Sequence, residues 1–302
     1  MPTAPRPDPR SIAFIGTGVM GLSMAGHLMT AGHRLTIHTR TKSRAQSLLD
    51  RGAVWADSPG KAADGADLAI SIVGFPEDVE ATHLGPNGTL QARNPPRLII
   101  DMTTSRPSLA VRIAEAAAKK KVQSLDAPVS GGDVGARNAT LSIMVGGERA
   151  AFDEALPILS IMGKNVVHQG PAGAGQHTKM VNQVLIASTM IGVCEGLLYA
   201  RKAGLDPLTV IQSVGAGAAG SWTINNLGPR MVNRDFNPGF YVEHFIKDLG
   251  IALDESSRME LTLPGLAMAR QLYEAVRAQG HARLGTQSLL LALEKLNGID
   301  ER

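Results

Sequence analysis

Ser11-Ile-Ala-Phe-Ile-Gly16-Thr17-Gly18-Val19-Met20-Gly21 is the stretch on which the fold turns. Five strand-forming residues run into glycines at 16, 18 and 21, and a helical pattern follows as far as Gly32. A G-x-G-x-x-G pattern is weak alone, but between a strand and a helix it has a physical meaning. Gly16 makes the tight turn, Gly18 lets a pyrophosphate approach the backbone, and Gly21 permits close helix–sheet packing. Thr17, Val19 and Met20 complete the turn, and the helix N-terminus offers amides and positive dipole to phosphates. A glycine cluster that serves packing alone is the alternative.

Outward from this turn, short β-rich runs alternate with helical patterns over residues 11–170. The runs are Ser11–Gly16, Arg34–His38, Leu68–Val73, Arg97–Met102, Val122–Asp126 and Leu141–Val145. Several are apolar throughout, as strands covered on both faces are. Between them Ser105 reads as an N-cap with Pro107 just inside, and Gly32 closes the first helix. The alternation predicts a doubly wound α/β sheet. After Gly-Pro-Ala-Gly-Ala-Gly175 comes a long stretch without Pro or turn until Gly204, which predicts one long helix. Asp206-Pro207, Val242–Met259 and Pro264–Ala278 continue the helical texture, with a loop at Gly215–Gly220, so residues 171–302 read as all-α. Residues 1–10 hold four prolines and read as a frayed tail.

The 302 residues are 44% hydrophobic and 19% charged, which excludes a disordered or collagenous chain, and with 4% aromatic content the core is aliphatic. A net charge of +3 is spread without basic runs apart from Lys119-Lys120-Lys121, which reads as a helix end, so no nucleic acid is expected. Cys194 has no partner for an internal disulfide and lies among apolar residues, so it reads as a small buried hydrophobe, and the cytosol is the expected compartment. Asn182, Gln183, Ser188, Thr189 and Glu195 interrupt the apolar stretch Met180–Leu198, which reads as a core helix rather than a membrane span. No metal is called for.

At the end of the second strand an NAD site presents a carboxylate to the ribose. This chain presents His38-Thr39-Arg40-Thr41-Lys42-Ser43-Arg44 instead. Arg40 suits a 2′-phosphate by stacking or forked hydrogen bonds and Thr41 adds a hydroxyl, which favours NADP, with NAD possible if the turn is only a solvated basic one. Val73, Gly74 and Pro76 after the third run, and Thr103 after the fourth, fall where such a sheet brings its loops to the dinucleotide.

Asp126-Ala-Pro-Val-Ser130-Gly131-Gly132 is a small-residue loop whose amides and Ser130 hydroxyl suit a carboxylate; a plain turn is the alternative. Lys179, Asn182 and Gln183 project from one face of the long helix near its beginning. The helix dipole and partial burial would both lower the lysine pKa from about 10.4 toward a value useful to a general acid or base. Lys247-Asp248 lies on a later helical pattern, either near a site or as an exposed pair.

Together these segments resemble the β-hydroxyacid dehydrogenase family, which includes 3-hydroxyisobutyrate dehydrogenase and tartronate semialdehyde reductase. The motifs are Phe14–Gly21, Asp126–Gly132, Gly173-Ala-Gly-Gln-His-Thr-Lys-Met-Val-Asn182 and Lys247-Asp248-Leu249. The resemblance implies a Rossmann-type domain joined by the long helix to a helical domain, catalysis in the cleft, and dimers or tetramers. It matches Lys179 to the catalytic lysine and Ser130, Gly131 and Gly132 to the substrate-carboxylate loop. The assisting amide falls at Asn182 or Gln183, since many relatives have Asn where Gln183 stands. Lys247 and Asp248 match a pair beside nicotinamide and substrate. The implied activity is hydride transfer between NADP and a short β-hydroxyacid, 3-hydroxyisobutyrate-like, or a tartronate, succinic or glyoxylic-type semialdehyde. Rival readings are an imine reductase, against which Lys179 argues, and a non-catalytic NADP-binding module. 6-Phosphogluconate dehydrogenase shares the opening pattern but needs a larger helical domain. Trp222, Asn225, Asn226, Phe240 and Tyr241 are candidates for a distal pocket, with packing or interface as the alternative.

Overall fold

The computed structural model describes residues 8–299 and divides into two compact units, the first ending at Lys179 and the second beginning at Met180. Residues 1–7 of the expected tail lie outside the described residues, whereas Arg10 donates its backbone N–H to His33 Nδ1.

The first unit holds strands β1 (Ser11–Ile15), β2 (Arg34–His38), β3 (Val54–Trp55), β4 (Leu68–Ser71), β5 (Leu98–Asp101), β6 (Gln123–Asp126), β7 (Val129–Ser130), β8 (Leu141–Gly146) and β9 (Gly163–Gly170). Its helices are α1 (Gly21–Thr30), α2 (Gln46–Leu49), α3 (Pro59–Ala63), α4 (Pro76–Leu84), α5 (Pro107–Ala118), α6 (Gly132–Arg137) and α7 (Arg149–Leu159). The sheet runs β3-β2-β1-β4-β5-β6-β8-β7, with β9 paired to β8. All pairs from β3 to β6 are parallel, and β8 runs antiparallel to β6 and β7. The chain winds outward from β1 to β3, then returns to β4 on the other side of β1. The reversal leaves a crevice outside the carboxyl ends of β1 and β4, where sheets of this kind bind ligands.

The period of two explains why the strands read as unbroken apolar runs. Ile12 and Phe14 join one buried cluster with Met24, Leu28 and Ile37, while Ala13 and Ile15 join another with Ala69, Val79 and Ile113. Successive side chains thus enter opposite helical layers, and neither face of the central strands meets water.

The helices continue with α8 (Ala174–Lys202), whose interior contains the unit boundary, then α9 (Pro207–Val214), α10 (Gly228–Val232), α11 (Val242–Arg258), α12 (Pro264–Ala278) and α13 (Leu289–Leu296). The second unit is helical, as its sequence texture predicts. Asp206 caps α9 by accepting from the Thr209 N–H, with Pro207 at the first helical position. By length and composition α8 could cross a membrane, but Ala187, Met190, Cys194 and Leu197 pack into a core with Phe245, Leu249 and Tyr273. Cys194 is fully buried, and burial pushes its thiol pKa upward, so it behaves as the small hydrophobe expected.

One expected cap is corrected. Arg106, not Ser105, is the N-cap of α5, and it makes no side-chain cap hydrogen bond. Ser105 is drawn elsewhere, because its N–H donates to Gln176 Oε1 at the start of α8.

Candidate active site

The β1–α1 turn explains two of its three glycines by packing and leaves the third for a ligand. Gly16 has φ +99°, and an added Cβ would strike the Ile72 carbonyl oxygen; one on Gly21 would strike the Gly16 carbonyl. At Gly18 an added Cβ would meet nothing within 4 Å, and φ is not positive. Packing therefore does not require glycine at 18, whereas a pyrophosphate lying against the backbone does. Thr17 Oγ1 is buried without a hydrogen-bond partner among the described residues, another group suited to an incoming acceptor or donor. These residues fit a dinucleotide. Val19 is exposed and Met20 half-buried at the helix entrance.

Beyond β2, Arg40 and Thr41 are exposed, with Arg40 placed by an ion pair to Asp78 Oδ1 at 3.4 Å. Asp78 also accepts the Phe75 N–H through Oδ2, so one carboxylate joins the basic turn to the β4 exit. Val73 and Gly74 are half-buried there, while Pro76 is buried as the first residue of α4. The Val73 N–H donates to Thr103 Oγ1 at 2.9 Å, which brings the β4 and β5 exits together.

A buried polar chain underlies these exits. Thr103 donates its N–H to Asp101 Oδ1, which also accepts the Ser71 hydroxyl at 2.8 Å. Ser71 then accepts from His83 Nε2, leaving Nδ1 to accept the Thr89 hydroxyl. Burial pushes the Asp101 pKa up to about 6 against the pull of these donors, and lowers His83 to about 4. Sequence reading picked out Thr103 but missed its support: Ser71, His83 and Asp101 are separated along the chain, and the parallel pairing of β4 and β5 sets Ser71 beside Asp101 while α4 brings His83 onto Ser71.

Asp126 stands opposite Asp101 across the β5–β6 ladder. Its Oδ1 accepts from Gly173 N at 2.7 Å and its Oδ2 from Gln176 N at 2.8 Å, so it fastens the start of α8. Burial raises its pKa to about 6, opposed by those amides. Gly175 is glycine because a Cβ would collide with the Met144 and Asp126 carbonyl oxygens. Four residues further on is Lys179, 6% exposed. It lies in the second turn of the helix, beyond the first-turn amides where the dipole acts most strongly.

Ser130 ends β7 in antiparallel register with Ser142. Gly131 and Gly132 follow with φ +130° and +61°, backbone that a side chain disfavours, and α6 starts at Gly132. The loop is thus a built feature in which successive amides leave the strand direction.

In the second unit the amides divide their work. Gln183 is buried; its Nε2 donates to Asp248 Oδ2 at 2.6 Å and its Oε1 accepts from Asn182 Nδ2 at 2.7 Å. Asp248 is fully buried and also meets Lys247 Nζ at 3.0 Å. Asn182 is half-buried, and its Oδ1 makes no hydrogen bond among the described residues. Of the distal candidates, Asn225 donates to Gly215 O and Asn226 to Trp222 O, which favours the packing reading for both. Trp222 is exposed, Phe240 packs edge-on to Phe245, and Tyr241 lies beneath the Arg283 guanidinium.

Residues 11–170 match the family model described as the NAD binding domain of 6-phosphogluconate dehydrogenase, and residues 173–293 that described as NAD-binding of NADP-dependent 3-hydroxyisobutyrate dehydrogenase. A probable 3-hydroxyisobutyrate dehydrogenase-like 1, mitochondrial, of Arabidopsis thaliana is 52% identical across 97% of this chain and 88% of its own. The 2-hydroxy-3-oxopropionate reductase of Escherichia coli is 38% identical across 94% of this chain and 97% of its own. The solved structure of Mycobacterium tuberculosis 3-hydroxyisobutyrate dehydrogenase with L-serine superposes with a TM-score of 0.85 at 31% identity, covering 94% of this chain and 99% of that one. With a dinucleotide turn on a doubly wound sheet followed by a helical unit, and these relatives along nearly its whole length, the chain belongs to the β-hydroxyacid dehydrogenase family of NAD(P)-dependent oxidoreductases.

Proposed function

We propose that the protein interconverts a short β-hydroxyacid and its semialdehyde with NADP, and that Lys179 carries the proton. The observation behind this reading is a lysine removed from water on a helix whose first turn is fastened, by Asp126, to the end of a strand of the dinucleotide sheet. The nicotinamide, when bound, accepts or supplies hydride. Gly16, Thr17, Gly18 and the α1 N-terminus hold its pyrophosphate, with Val73 and Thr103 at the flanking exits. Arg40 favours NADP, since its guanidinium is exposed and no carboxylate ends β2.

Ser130 and the Gly131 and Gly132 amides receive the substrate carboxylate. In oxidation Lys179 Nζ takes the hydroxyl proton, and in reduction it returns the proton to the carbonyl oxygen. Asn182 orients that oxygen, because Gln183 is committed to Asp248 and to Asn182 itself. Lys247 and Asp248 act through this pair of amides. A homodimer or homotetramer in the cytosol belongs to the same proposal, supported by exposed Val181, Leu185 and Tyr199 on α8 and by the lone buried thiol.

Lys179→Ala tests the mechanism. Turnover is expected to drop by about 1,000-fold or more, as loss of a general acid–base group does, with NADPH affinity kept; near-full turnover with the variant excludes the role. The substrate is decided by a panel of 3-hydroxyisobutyrate, glycerate, serine, 4-hydroxybutyrate and their aldehydes with both cofactors. A strong NADH preference refutes the part given to Arg40.

A further inference from the structure

We infer that Gln176 is a positioning residue that ties the loop leaving β5 to the helix carrying Lys179, an inference that rests on Lys179 being the proton carrier. Gln176 is fully buried. Its Nε2 donates to the Thr103 carbonyl at 2.7 Å, its Oε1 accepts the Ser105 N–H at 2.9 Å, and its own N–H donates to Asp126 Oδ2. A helix that needed only to pack here would carry an aliphatic residue, since a buried amide is unfavourable unless every group is paired.

β5 ends at Asp101, so the ladder no longer supplies partners for the Thr103 carbonyl and the Ser105 N–H. One has a lone pair to fill and the other a proton to place. A carboxamide answers both; a carboxylate answers only the second, and methionine or leucine answers neither. Thr103 is held from the opposite side, through its N–H by Asp101 and through its hydroxyl oxygen by the Val73 N–H. A short run of direct hydrogen bonds therefore leads from the β4 exit through Thr103 to Gln176, one helical turn before Lys179. Displacement of a reacting group by about 1 Å is enough to lose on the order of 100-fold in rate, so this tie governs where the amine stands relative to the cofactor loop.

Gln176→Met and Gln176→Glu test the inference, with Lys179→Met alongside. In cofactor-free protein, amide hydrogen exchange at Ser105 and over 174–179 is expected to quicken in Gln176→Met, while β1 is unchanged. NADPH affinity, read by fluorescence titration, is expected to weaken about fivefold as the Thr103 loop loosens. With 3-hydroxyisobutyrate and NADP, kcat is expected to fall about 100-fold with KM within about threefold. Gln176→Glu carries the decisive signature: once protonated, its carboxyl can again donate to Thr103. Its kcat relative to the parent protein should climb as pH falls from about 8 to about 5.5, whereas the Gln176→Met ratio stays flat. A residue that merely filled space would move the melting temperature without this pH-dependent rescue. Unchanged exchange, or Gln176→Met turnover within about twofold of the parent, overturns the inference. If Lys179→Met keeps its activity, the functional reading fails on its own account. If 3-hydroxyisobutyrate is not turned over, the exchange and NADPH titrations still decide the tie.

Discussion

The glycine-rich turn separates what folding demands from what the ligand demands. Gly16→Ala forces a Cβ against Ile72 O at a positive φ, so this variant is expected to lose several kcal/mol, about 3 or more, of stability. Gly18→Ala meets open space and is expected to melt within a few degrees of the parent, yet to bind NADPH at least about tenfold more weakly because the methyl occupies the pyrophosphate's approach. Thermal melts and fluorescence titrations check both, and equal effects of the two substitutions would sink the distinction. The same logic applies to Asp248, whose carboxylate faces both Lys247 and Gln183. Asp248→Leu removes the buried carboxylate that Gln183 Nε2 and Lys247 Nζ both meet and is expected to destabilise by about 3 kcal/mol. Lys247→Met with Asp248→Leu should lose less than the sum of the single changes in urea denaturation, and strict additivity would refute the coupling. The sequence makes Gly18 legible through its strand–turn–helix context. It leaves Asn182 and Gln183 undivided, because only the arrival of α11 shows which amide is already engaged.

Among elements, the apolar strands β1, β4, β5 and β8 stand out in the sequence because both faces are buried, whereas β2 shows as an alternation of buried Leu35 and Ile37 with the less buried Arg34, Thr36 and His38. β3 and β7 have two residues each, too few for a period to register, and β9 is largely exposed and polar, so none of these three declares itself. Pro107 marks the α5 start, but Ser105 stands one residue too early to cap it: Arg106 takes the N-cap position, and the Ser105 N–H is bound by Gln176 of a helix about seventy residues away. Contacts of this range also create the relay from α4 to β4 and β5, and the relay has a pH signature. His83, held near 4 against an ordinary 6.5, stays neutral in the native state while the unfolded chain gains its proton. Its contribution to stability is thus present above about pH 6.5 and lost as pH falls toward about 4. Asp101 and Asp126, raised to about 6, act in the opposite sense: the native state takes up their protons between about pH 6 and pH 4, and their contribution grows as pH falls through that window. Comparison with His83→Gln isolates the imidazole. The stability advantage of the parent over this variant should shrink by about 2 kcal/mol between pH 7 and pH 5 in urea denaturation; a constant difference would mean that His83 titrates normally.

For the whole molecule, the passage from sheet to helices follows from the change of period after Gly170, with the unit boundary itself inside α8 between Lys179 and Met180, whereas any association of copies depends on which face of α8 the other helices leave uncovered. Val181, Leu185, Ser188, Gly192, Glu195, Gly196 and Tyr199 recur at helical spacing and are all exposed. An added Cβ at Gly192 or Gly196 would touch nothing within 4 Å. Each glycine lowers helix stability by about 1 kcal/mol relative to alanine, and no packing among the described residues requires it. Close approach by another helix would require it, and the apolar residues on the same face supply the area such an approach buries. The parent protein is therefore expected to run as a dimer or larger assembly in light scattering at micromolar concentration. Gly192→Leu and Leu185→Glu should shift it toward the monomer, and Gly192→Ala should shift it less, with added helix propensity partly offsetting the lost contact. A parent protein that is monomeric across the accessible concentration range, or a Gly192→Leu variant that assembles unchanged, would show that this face serves solvent rather than a second copy.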